Sequence, residues 1–254
     1  MRDPRLVAEV SAHPYPLLFA TVSGAHLYGF PSPDSDFDLR GTHIAPVELL
    51  TGLERVSETI KQSHIRDGAE IDLVTHEVRK FFSLLLRDNG YVLEQLFSPL
   101  VVHTSPLHDE LKEIARGCIT RRCLRHYLGF AANQWSLFEK ESPRRIKPLL
   151  YVFRVLLSGI HMMRTGDVNA NLPQCNDALG SERLMWIDEL IAKKVGGAEQ
   201  QTISDEDVAF HQREYIRLRD QLVREEARSA LPERVTTEPA MRDLLRRIRL
   251  ARPD

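Results

Sequence analysis

Val22 to Gly41 reads VSGAHLYGFPSPDSDFDLRG. Phe37 and Leu39 alternate with Asp36, Asp38 and Arg40, the period-two pattern of a strand with one apolar and one polar face. On such a strand Asp36 and Asp38 point the same way, their side chains rooted about 7 Å apart. Two carboxylates that close repel unless a positive charge lies between them. A hard divalent cation that takes oxygen ligands suits that place. Asp-x-Asp alone is common on solvated strand edges, so the flanking residues decide its weight.

Upstream, PLLFATV (residues 16–22) is an apolar run of strand length that leads into Ser23, Gly24 and Ala25. Small residues after a strand let backbone N–H groups approach an anion, as phosphate cradles require. Gly29, Pro31 and Pro33 then break any long helix, so the chain must return quickly to the Asp-x-Asp strand. A small-residue turn, a short connection and Asp-x-Asp on a strand form a rarer combination than any one of them.

This run resembles the signature of the DNA polymerase beta-type nucleotidyltransferases, in which a Gly-Ser turn precedes Asp-x-Asp on the next strand. It is more similar still to a bacterial subgroup, some members associated with RNA repair, whose pattern is GS-x-x-YG followed by (S/T)P-(D/E)-SD-x-D-x-RG. The matching residues are Gly24 to Gly29 and Ser32 to Gly41, with Ala25 where the subgroup usually has serine. A backbone cradle survives that change, whereas a hydroxyl contact to phosphate does not. The resemblance implies an α+β fold: a small mixed sheet flanked by helices, followed by a C-terminal helical bundle. It also implies nucleotide binding by Ser23, Gly24, Ala25, Ser35 and Arg40, and two Mg2+ ions, with Mn2+ as the alternative. The expected activity moves an NMP from an NTP to an acceptor hydroxyl, an RNA end being one acceptor. Protein or small-molecule hydroxyls stay open as acceptors. So does a binding module of the same fold that has lost catalysis, which the alanine at position 25 motivates.

The family uses a third acidic residue on a neighbouring strand. Asp67-Gly68 marks a tight turn before AEIDLVT (residues 69–75), where Glu70 and Asp72 share a face. A hairpin there carries Asp72 back beside Asp36 and Asp38. Asp72 is preferred to Glu70 because, in the subgroup, the acid sits just ahead of the helix expected from His76 to Arg87. The expected catalytic and metal-binding set is therefore Asp36, Asp38 and Asp72.

Strand-length alternation disappears from Pro106 onward, which divides the chain into a catalytic α/β domain over 1–105 and a helical domain over 106–254. The helical part is expected to form the far wall of the cleft. In the helix from Arg144, Lys147, Tyr151 and Arg154 fall on one stripe. The subgroup's Lys, aromatic and Arg ahead of Thr-Gly, here Arg164-Thr165-Gly166, assign that stripe to the nucleotide. Arg121, Arg122, Arg125 and His126 form a second basic cluster that reads first as a surface charge run.

Composition bounds the rest. The 254 residues carry 43% hydrophobic and 28% charged side chains and a net charge of −2, which gives no global argument for nucleic-acid binding. Cys118, Cys123 and Cys175 lack zinc-ligand spacing and read as reduced thiols of a cytoplasmic protein. The N-terminal stretch lacks the apolar core of a signal peptide, no apolar run reads as long enough to span a membrane, and no membrane association is expected. GxSxG and HExxH are absent, which argues against the familiar hydrolase triads and zinc proteases.

Overall fold

A computed structural model describes residues 3–53, 56–196 and 202–251. By packing, the chain forms two compact units. One comprises Met1–Gly24, Asp36–Ile119 and Arg234–Asp254, and the other Ala25–Ser35 and Thr120–Glu233.

The first unit is built on a five-stranded mixed sheet of order β3-β4-β2-β1-β5. Its strands are β1 (Leu17–Val22), β2 (Phe37–His43), β3 (Thr59–Arg66), β4 (Ala69–Glu77) and β5 (Val101–Thr104). β2 runs antiparallel to β1 and parallel to β4, while β3 and β4 form an antiparallel hairpin. That hairpin turns at Asp67 (φ 47°) and Gly68 (φ 75°). Two successive positive φ values make the turn whose twist matches the flanking strands, which is why Asp-Gly stands there.

Alternation along the strands sorts the two faces. Ala20, Val22, Leu39, Ile71 and Leu73 pack with Leu6 and Val10 of α1 (Pro4–Ser11) into one buried cluster. Asp38 and Arg40 therefore point to the opposite face. Phe19 meets Phe81 of α4 (Val78–Leu85) edge-on and stacks on His108 of α6 (Pro106–Ala115). α5 (Gly90–Leu96) is capped by Asn89, whose side chain accepts from the Tyr91 and Val92 amides.

Two short helices occupy connections where none was expected: α2 (Gly24–Tyr28), within the turn after β1, and α9 (Leu172–Asp177). β5 was likewise not expected. Four residues leave too little alternation to read. The expected helix from His76 begins at Val78, because His76 and Glu77 still pair in β4. The sequence also predicts a short amphipathic helix over residues 1–11; α1 accounts for it from Pro4, and positions 1 and 2 lie outside the described residues. α12 (Glu238–Leu250) belongs to this unit, burying Met241, Leu244 and Ile248.

The second unit centres on α8 (Ile146–Thr165), flanked by α7 (Leu124–Lys140), α9, α10 (Met185–Gly196) and α11 (Asp205–Arg228). α8 is long and apolar enough to cross a membrane, which corrects the expectation that no such run exists. Its apolar window is 78% buried among its neighbours, as befits a core helix.

Candidate metal centre

The parallel register of β2 and β4 sets Asp38 directly beside Asp72. Neighbouring strands lie about 4.8 Å apart, so same-face carboxylates in register are forced together. Asp36 precedes the first residue of β2 and joins them. One carboxylate oxygen from each of Asp36, Asp38 and Asp72 lies within 4.8 Å of the other two, and all three residues are half-buried. Glu70, two positions before Asp72, is exposed and outside the cluster.

Burial pushes the Asp38 carboxyl above its ordinary range. The Arg40 charge and hydrogen bond pull it back, while Asp36 and Asp72 push it further up. A cation between these groups would relieve the crowding. Three converging carboxylates in a half-buried pocket are hard oxygen donors and fit a divalent ion of the Mg2+ or Mn2+ type.

Two neighbours define how Asp38 is held. Gly24 takes φ +61°, and a Cβ built on it would fall 1.9 Å from Asp38 Oδ2. Only a glycine fits on both counts. Arg40 donates from Nη2 to Asp38 Oδ1, from Nη1 to the Leu39 and Asp72 carbonyls at 2.8 and 2.9 Å, and from Nε to the Tyr91 hydroxyl at 3.0 Å. The Ser23 amide donates to the Asp38 carbonyl at 2.7 Å, and its side chain is buried.

The remaining expected residues lie in the second unit. Ala25 is buried. Ser35 Oγ accepts from the Ser32 amide at 2.9 Å and meets Ser32 Oγ at 3.0 Å. Lys194, near the end of α10 and only 3% exposed, donates to Ser32 Oγ at 2.8 Å and Ser35 Oγ at 3.4 Å. The Ser32 hydroxyl, its own backbone, Lys194 and Lys147 hold the Asp34 carboxyl below its usual range.

On α8, Lys147 and Tyr151 are half-buried. Arg154 is 2% exposed, its guanidinium 4.0 Å from the Tyr28 ring centroid. Tyr151 meets Tyr28 and Phe30 edge-on. Arg121, Arg122 and Arg125 line a cleft of about 340 Å³ shared with Glu226 and Glu233, so acids temper that basic cluster.

Sequence reasoning did not single out Tyr91 or Lys194. Tyr91 lies 51 positions from Arg40, and Lys194 lies 162 from Ser32. A lysine near the C-terminal end of a helix has an ordinary reading as a complement to the helix dipole. Nothing local marks either residue.

A sequence model of the RNA repair pathway DNA polymerase beta family (RlaP) matches residues 3–247. The chain belongs to the RNA repair pathway DNA polymerase beta family. That makes it a nucleotidyltransferase of the polymerase beta type, with a nucleoside triphosphate as substrate. Nucleotidyltransferases of this fold use divalent metals, and the acidic triad is the matching feature.

The chain is 32% identical over 181 residues to the uncharacterized protein MJ0002 of Methanocaldococcus jannaschii, covering 70% of this chain and 73% of that one. It is 26% identical over 144 residues to the uncharacterized protein YcgL of Bacillus subtilis, covering 56% of this chain and 54% of that one. Among solved structures, a nucleotidyltransferase-like protein from Exiguobacterium sibiricum aligns at 12% identity with a TM-score of 0.33, over 87% of this chain and 72% of that one.

Proposed function

We propose that this enzyme transfers a nucleoside monophosphate from an NTP to a hydroxyl at an RNA end, in the cytoplasm. The observation that carries the reading is the convergence of Asp36, Asp38 and Asp72 from two in-register strands. In the reaction the acceptor oxygen bonds the α-phosphorus, and the bond from that phosphorus to the bridging oxygen breaks. Pyrophosphate leaves. Asp36 and Asp38 would hold two divalent ions, Mg2+ in the first place and Mn2+ as the alternative, and Asp72 would hold one of them. Bound there, such ions supply positive charge against the phosphoryl oxygens. An Asp72 carboxylate oxygen accepts the proton of the acceptor hydroxyl.

Nucleotide contacts by Gly24, Ala25, Ser35, Lys147, Tyr151 and Arg154 rest on the family motif. At Ser23 the backbone amide already serves Asp38, so a cradle there would begin at Gly24. RNA as acceptor rests on the family's description. The test is incorporation of α-labelled NTPs into total RNA, total protein and small hydroxyl acceptors with Mg2+ or Mn2+. Label should enter RNA with the wild type and disappear with Asp36→Asn or Asp38→Asn while the fold persists. Label retained in either variant refutes the site, and label on protein alone refutes the acceptor.

A further inference from the structure

Arg40 carries a cation into a cluster of carboxylates that is itself built to attract one. An arginine in such a place has two conceivable partners, the substrate's phosphates or the protein's own acid. Its geometry favours the second. The guanidinium is planar, and its donors are fixed in direction. Nη2 donates to Asp38 Oδ1, Nη1 to the backbone carbonyls of Leu39 and Asp72, and Nε to Tyr91. These acceptors come from β2, β4 and α5, so both strands that bear the triad fix the same plane. The Arg40 and Asp38 side chains are only 15% and 20% exposed.

We propose that Arg40 and Tyr91 are a positioning pair that fixes Asp38 for the divalent ion. This rests on the reading of the triad as the metal centre. Arg40 engages Oδ1, and Gly24 leaves Oδ2 the room a side chain would fill. One oxygen is thereby tied, and the other defines the direction in which the carboxylate is presented. Tyr91 sets the guanidinium plane from α5, whose cap at Asn89 fixes the start of that helix. Partners hydrogen-bonded to metal-binding carboxylates orient them in this way, and removing such a partner typically weakens metal affinity about 10- to 100-fold.

The test measures Mn2+ binding to the free protein by electron paramagnetic resonance, alongside the NTP KM and the melting temperature. Arg40→Lys keeps the charge and loses the fork. Its Mn2+ affinity should fall about 10-fold. Tyr91→Phe, which keeps the ring, should show a smaller loss in the same direction with little change in melting temperature or NTP KM. If Tyr91→Phe and Arg40→Lys bind Mn2+ like the wild type while the NTP KM rises, Arg40 is a phosphate ligand and the pairing is refuted. If Asp36→Asn or Asp72→Asn also leaves Mn2+ binding unchanged, the metal-centre reading beneath it falls as well, and that outcome separates the two failures.

Discussion

At position 24 a methyl group would have nowhere to go. Its Cβ would overlap Asp38 Oδ2, and the backbone already sits at φ +61°. Gly24→Ala should cost about 1–2 kcal/mol from the left-handed backbone alone. It should also displace Asp38, so a lowered melting temperature and weakened Mn2+ binding are expected together. Were strain the whole effect, the melting temperature would fall with Mn2+ affinity intact. The sequence suggested the motif glycine as a phosphate-approach residue. Its role against the aspartate was not legible, because that contact depends on where β2 returns. Asp36 and Asp38 were legible from period-two alternation, and the Asp-Gly turn brought Glu70 and Asp72 back as candidates on one face; only the family resemblance chose Asp72 between them. The burial of Arg154 was not legible. Spacing placed it on a basic stripe, but α8 is enclosed by helices, so even its charged position is buried over Tyr28.

Among the elements, α10 shows how a helix can hold a loop distant in sequence. Lys194 reaches Ser32 and Ser35, whose own link is closed by the Ser35 amide donating to the Ser32 carbonyl at 3.0 Å. Ser35 is followed directly by Asp36. Lys194→Met keeps the length and apolar stem but removes the donors. Amide exchange at Ser35 should speed up roughly fivefold, matching the loss of about 1 kcal/mol for a hydrogen bond. Exchange unchanged at Ser35 would show that the turn stands without the lysine. The strands β1, β2 and β4 and the long helices were readable from periodicity over many residues. β5, α2 and α9 are too short to carry it, and each is set by its packing neighbours.

For the molecule as a whole, buried and half-buried histidines link stability to pH. Burial above all holds His43, His76, His108, His126 and His211 near a pKa of about 4. A folded pKa below the unfolded value near 6.5 means the unfolded chain binds protons first as pH falls. Stability is therefore full above about pH 6.5 and declines toward pH 4. Each fully buried ring, His43 and His108 among them, adds up to about 1.4 kcal/mol per pH unit in that window. Urea denaturation at pH 7.5 and 5.0 should show the loss, and His108→Gln should flatten the slope. An equal slope in that variant would trace the acid sensitivity elsewhere. The boundary expected at 105/106 follows the end of strand periodicity. The compact units follow packing instead, which groups residues 25–35 with the helices and α12 with the sheet.

Arg40 gives the acidic pocket a resident counter-charge of its own. A sample stripped with a chelator should consequently stay folded, its circular dichroism overlaying that of the untreated protein at neutral pH. Purification and storage then tolerate scavenging of trace metals, and activity should return on simple replenishment, with no refolding step between.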